Sequence, residues 1–241
     1  MVIPTPYIPD WPDTFDFDTD PICQKQFKPF IKEELASLRA YDDERPDEKT
    51  YIFHQHAARV AKDVKKTCLH MGLSEIIANN MYWATLPHDI GKRLLPVEMW
   101  DSEEKPSGVI KKVRRTHTLL GVQIVSELFG DVPHPFKALM VDIMAHHHEQ
   151  LNGEGTLGLS GDRLSKPVRL AAIVEAYDGY RIWRPHFGDR DISPPAVIER
   201  MREEKGADIY DLDLLEAFAQ MKINEYNTIK NFSIKASKAS K

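Results

Sequence analysis

The chain has 241 residues, 42% hydrophobic and 29% charged, with a formal net charge of -5. This length and composition suit one large soluble domain, or a domain with an appended helical segment. The negative balance argues against a nucleic-acid polymer as partner, no stretch approaches the roughly 20 apolar residues of a membrane span, and Cys23 and Cys68 are too few for a disulfide framework.

Residues 1–21 carry Pro4, Pro6, Pro9, Pro12 and Pro21 among aspartates and aromatics. They read as an extended arm, laid on the surface by Tyr7, Trp11, Phe15 and Phe17. The arm lacks a basic segment followed by an apolar core, so it does not read as a secretory leader, and the cytoplasm is the expected compartment. Beyond it the patterning is almost wholly helical. The spacing predicts helices over 22–41, 50–71, 74–90, 108–129, 134–149, 165–182, 193–204 and 211–226. Ser74 before Glu75 marks a start, while Gly72, Gly91 and Gly130 mark stops. Residues 150–163 form a glycine-rich loop. With no strand alternation, repeat or heptad run, the expected fold class is all-α. A domain over 22–190 is followed by a helical extension over 191–232 and a disordered tail over 233–241. Val197, Met201, Leu215 and Phe218 of the extension would pack on the domain or form a homodimer surface.

Polar residues interrupt the apolar helix stripes at particular places. His56 shares a row with Phe53, Val60 and Val64, and His88 follows Ile77, Met81 and Ala84. His117 is flanked by Val113, Leu120 and Ile124; His147 follows Leu139 and Ile143 with His148 beside it; Asp178 follows Leu170 and Val174. Spacings of three or four residues put these side chains on inward faces. Burying them unpaired would be very costly, so something must satisfy them together. Neutral imidazoles and carboxylates converging from several helices suit a metal. Asp89 adds a carboxylate about 100° round the helix from His88. His54, His70, His134 and His186 read as hydrogen-bonded or surface residues, and His146, aligned with Asp142, reads as lying outside.

The ordered set His56-x-x-Arg59-Val60, His88-Asp89-Ile90-Gly91-Lys92, His147-His148-Glu149 and Tyr177-Asp178-Gly179 resembles the HD superfamily of metal-dependent phosphohydrolases. More narrowly, Arg115-Thr116-His117-x-x-x-Gly121, the run from His147 to Leu164, and Arg184-Pro185 are similar to the HD-GYP branch, whose members hydrolyse cyclic dinucleotides such as cyclic di-GMP. The match covers about residues 53–187. It departs at Thr156-Leu157, where the branch has Tyr-Pro, and at Asn152, where the branch has aspartate. It departs again at Ile52, where members with a third metal carry glutamate.

The resemblance implies an HD-domain helical bundle with additional N- and C-terminal helices and two divalent ions. A histidine and carboxylate set without thiolates favours iron or manganese. By resemblance, His56, His88, Asp89 and Asp178 would hold one ion and Asp89, His117, His147 and His148 the other, with Asp89 bridging. Asp89 and Lys92 would then act at the reacting centre, and Lys92 and Arg184 would contact substrate phosphates. Glu149 and Asn152 would either orient imidazoles or cap the loop. The implied activity is that of a phosphodiesterase hydrolysing a cyclic dinucleotide of the cyclic di-GMP type; the alternatives are an HD phosphohydrolase acting on another nucleotide, or a non-catalytic signalling module that binds a nucleotide or a signalling-protein partner.

Overall fold

The structure is a computed structural model that describes residues 10–46, 49, 51–101, 106–182, 188–204 and 206–239, with side chains through residue 232. A π-turn over Cys23–Phe27 leads into α1 (Lys28–Asp43), followed by α2 (Phe53–His70), α3 (Glu75–Thr85), α4 (Gly108–Arg115) and α5 (His117–Phe129). The chain continues through α6 (Pro135–His146), α7 (Lys166–Arg181), α8 (Pro194–Glu204), the single turn α9 (Gly206–Ile209) and α10 (Leu212–Ala239). Among the described residues the extended pairing is confined to one bridge, Asn152 with Ser160, and the fold is all-α as the periodicity predicts. No helix among them is long and apolar enough to cross a membrane.

The predicted stripes form the core. Val60 and Val64 of α2, Met81 of α3, Leu139 and Ile143 of α6, and Leu170 and Val174 of α7 are all buried in one cluster. Val197, Met201, Leu215 and Phe218 of the C-terminal helices join it. Each fully buried aliphatic side chain contributes about 1.5–3 kcal/mol of hydrophobic stabilisation. The described part of the N-terminal arm is docked as well. Phe17 is fully buried and stacks on Trp83 at 4.7 Å between centroids. The Asn80 side chain accepts from the Phe17 amide and donates to the carbonyls of Pro12 and Phe15.

Three helix boundaries differ from the periodicity. The third helix stops at Thr85 rather than near 90, because Pro87 has no N–H to continue the ladder; the chain turns and resumes as a 3-10 segment over Ile90–Leu94. The fourth predicted helix breaks at Thr116 into α4 and α5, with the Thr116 hydroxyl donating to the Val113 carbonyl. Finally, α10 continues past residue 226 as helix to Ala239. The first two breaks bring together what an unbroken pair of helices would hold apart. A Cβ built at Gly91 would lie 2.0 Å from the His117 carbonyl oxygen, so only glycine lets the 3-10 segment rest against the start of α5.

Candidate metal centre

The site is assembled mostly from helix ends. Glu175 and Asp178 lie in the body of α7, whereas His56 is in the first turn of α2, which begins without a capping side chain at Ile52. The cap comes from α1: Asp42 accepts from the Phe53 amide at 3.0 Å and from the His54 amide at 2.9 Å. Asp42 is held in turn by the buried Arg45, which also makes a bidentate pair with Asp101 at 2.8 and 2.6 Å. This network fixes the first turn of α2 and so the position of His56. His88 and Asp89 sit on the turn after α3, His117 opens α5, and His147 and His148 close α6.

Four imidazoles are oriented through Nδ1. His88 Nδ1 meets the Thr85 carbonyl at 2.9 Å, His117 Nδ1 the Arg114 carbonyl at 2.6 Å, and His147 Nδ1 the carbonyls of Ile143 and Met144 at 3.1 and 3.0 Å. His56 Nδ1 meets Asp178 Oδ2 at 2.7 Å. A carbonyl can only accept, so Nδ1 of His88, His117 and His147 carries the proton and their Nε2 lone pairs point inward. The consequence is sharpest between His117 and His147, whose Nε2 atoms face each other at 3.3 Å. Two lone pairs in that geometry repel unless a cation lies between them.

The ligand atoms fall into two groups, each within 4.8 Å of one another: His117, His147 and His148 in one, and His56, His88, Asp89 and Glu175 in the other. Asp89, fully buried, stands between them. Its Oδ1 lies 3.0 Å from His117 Nε2 and 3.8 Å from His147 Nε2, while its Oδ2 lies 3.4 Å from His56 Nε2 and 3.5 Å from His88 Nε2. Buried His56 Nε2 and Asp89 Oδ1 make no hydrogen bond, although Glu175 Oε2 lies 2.5 Å from the former. Unpartnered inward nitrogens and oxygens of this kind fit divalent cations. Lys92 Nζ lies 2.5 Å from Asp89 Oδ2 and 3.3 Å from the Tyr51 hydroxyl, within 4.8–5.7 Å of the ring centroids of Tyr51, Phe53 and Trp100.

Burial raises a carboxyl pKa, but around Asp89 the Lys92 ammonium and the His88 and His117 rings outweigh it and hold the group well below the usual range. Burial dominates at the paired histidines. It pushes His148 down to about 3, aided by His117, and holds His147 well below the ordinary imidazole range, aided by His148 and His88. Both rings are therefore neutral and ready to ligate. At His56 burial is outweighed by Glu175, Asp178 and Asp89, which lift it to about 9. His56 would have to give up that proton to ligate a cation.

The carboxylate that α7 brings to His56 and His88 is Glu175, whereas Asp178 sits one turn further along. Asp178 accepts from Arg59 Nε and Nη2, both at 2.8 Å, and from His56, so its oxygens are already engaged. The sequence stripe passed over Glu175 because the i+4 row through Leu170 and Val174 ends on Asp178. The visible signal was the mirrored pair, His56 and Arg59 on α2 opposite Glu175 and Asp178 on α7. His146 is fully buried rather than outside, because the start of α7 covers that face of α6. Its Nδ1 meets Asp142 Oδ1 at 2.7 Å, and Asp142 Oδ2 accepts from the Ser165 hydroxyl.

Among the described residues Glu149 orients no imidazole. It accepts from the amides of Leu157 and Leu159 at 2.7 and 2.8 Å and braces the glycine-rich loop, while Asn152 accepts from the Glu154 amide in a local turn. Arg184 lies outside the described residues. A third group, Asp20, Cys23 and His134, also has clustered ligand atoms. There His134 Nδ1 accepts from the Phe136 amide, which leaves the proton on Nε2 facing Asp20 at 3.3 Å and no lone pair for an ion.

Over residues 47–214 the chain matches the HD domain family, and it belongs to that family. Among curated proteins it is 25% identical over 173 residues to the 3'3'-cGAMP-specific phosphodiesterase 1 of Vibrio cholerae, covering 71% of this chain and 38% of that protein. It is 26% identical over 175 residues to a cyclic di-GMP phosphodiesterase of Pseudomonas aeruginosa, covering 72% and 39%. The chain thus matches under two fifths of either relative's length. In fold it is similar to an HDG"Y"P protein from Bdellovibrio bacteriovorus, with a TM-score of 0.59 at 13% identity over 86% of this chain and 64% of that one.

Proposed function

We propose that the chain is a metal-dependent phosphodiesterase that hydrolyses a cyclic dinucleotide of the cyclic di-GMP type on two divalent cations, iron or manganese. The observation that carries this reading is Asp89, whose two oxygens face two separate ligand groups. One cation would be held by His56, His88, Asp89 and Glu175, the other by Asp89, His117, His147 and His148, with Asp178 orienting His56 through its Nδ1 proton. When bound, such a pair lowers the pKa of a shared water and offsets charge on the phosphate oxygens.

The chain's own residues do the rest. Neutral His147 and His148 supply nitrogens without competing protons. Lys92, buried among three rings and already beside Asp89, keeps an ammonium where charge develops on a phosphate. The similar proteins named for cyclic di-GMP and cGAMP support the substrate class. The test is turnover of cyclic di-GMP, cGAMP and cyclic di-AMP by iron- or manganese-loaded protein prepared without oxygen. Cleavage of at least one that is abolished by chelation is expected. Metal-replete protein that cleaves neither these nor mononucleotides would instead mark a binding module.

A further inference from the structure

A cavity of about 510 Å³ opens between α2, α7 and α10, with Arg59 and Asp178 in its wall. Its volume lies in the range of small-molecule sites, roughly 300–1,000 Å³. Five cations line it: Arg59, Lys62, Lys66, Arg181 and Lys222. Only two carboxylates, Asp63 and Asp178, share the wall, leaving an excess of three positive charges in a chain whose net charge is -5. Glu225, which pairs with Lys66 and Lys222 but is not part of the wall, lowers that excess to two.

Several donors there remain unused. Arg59, 45% exposed, spends Nε and Nη2 on Asp178, and its Nη1 has no protein partner among the described residues. Arg181 directs Nε to the Ile192 carbonyl and Nη1 to the Tyr177 hydroxyl, which leaves Nη2. Lys62 is exposed and makes no ion pair or hydrogen bond among the described residues. Guanidinium forks beside ammonium groups are the donor set that holds phosphate.

We propose that this cavity is an anion site for a phosphate-bearing ligand of mononucleotide size, separate from the metal centre. Of the lining residues Lys222, on α10, lies beyond the residues that match the HD domain family, so the C-terminal helix adds one cation to a wall otherwise built by α2 and the end of α7. Arg59 joins it to the centre, since the guanidinium that faces the cavity also holds Asp178 against His56. The proposal does not depend on the hydrolytic reading.

The test is equilibrium dialysis of radiolabelled inorganic phosphate against the metal-loaded full chain, with and without prior chelation, for wild type, Lys62→Glu and the remote control Lys32→Glu. Phosphate binding that survives chelation is expected, weakened on the order of tenfold by Lys62→Glu and unchanged by Lys32→Glu. Displacement of the label by guanosine monophosphate would identify a nucleotide as the source; displacement by inorganic phosphate alone would identify the free anion. Loss of all binding on chelation, or a Lys62→Glu protein that binds like wild type, would overturn the proposal. Turnover of cyclic dinucleotides, followed separately, reports on the metal centre alone.

Discussion

Replacing Gly91 with alanine would place a Cβ 2.0 Å from the His117 carbonyl oxygen and 2.5 Å from the Gly121 amide nitrogen. Ordinary contact begins at 3.4 Å, so the 3-10 segment and the start of α5 must part by about 1.4 Å. Both obstacles are backbone and neither can swing aside. Overpacking of this kind costs about 1–3 kcal/mol, and the rigid partners put this case at the upper end. For a domain of this size, about 3 kcal/mol corresponds to a Tm lower by about 6–12 °C. The same movement pulls Asp89 away from His117, so metal affinity should fall by about 10–100-fold. Scanning calorimetry of metal-free protein reads the first effect, and competitive metal titration reads the second. Gly179→Ala is the control: nothing lies within 4 Å of where its Cβ would stand, and in a helix interior the change should add about 0.5–1 kcal/mol. A Gly91→Ala protein with the Tm and metal affinity of wild type would refute the close approach and with it the way the site is assembled.

Other outcomes follow from the same contacts. Glu175→Ala should remove a direct ligand and abolish one metal, whereas Asp178→Ala should keep both metals and weaken binding by about 10–100-fold through the freed His56 ring; reversed phenotypes in metal analysis would contradict this division. Cys68 is buried and its thiol is pushed up to about 12 by burial, and burial also raises Cys23. Neither should react with a disulfide reagent at pH 8 in the native protein, and both should react once it is unfolded. Asp20 accepts from the amides of Ile22 and Cys23 and faces His134, contacts that outweigh its burial and lower its pKa. Its contribution is therefore present above the ordinary aspartate pKa and lost as pH falls through the lowered one. Asp20→Ala should cost about 1 kcal/mol in urea melts at pH 7, and the cost should shrink as pH falls through the lowered pKa.

Much of the site was legible in the sequence because burial leaves a periodic trace. His56, His117 and His147 interrupt apolar rows, and the core positions around them lie where the rows predict. What periodicity could not carry was the interruption of the helices themselves. Pro87 and Thr116 end helices that the apolar rows run through, so His88 and Asp89 occupy a turn and His117 opens a new helix, where a wheel drawn along the preceding rows says little about direction. That Glu175 rather than Asp178 lies beside His88 has a similar origin, since both lie near the inward face and Arg59 engages Asp178. The long-range grip of Asp42 and Arg45 on the start of α2 joins segments ten or more residues apart and leaves no local pattern.

The most direct test of the central claim is metal analysis of wild-type and Asp89→Ala protein prepared side by side without oxygen. The account predicts two divalent ions per wild-type chain, loss of metal from the variant, and loss of cyclic dinucleotide hydrolysis with it. A variant that retains two ions per chain would contradict the bridging role of Asp89.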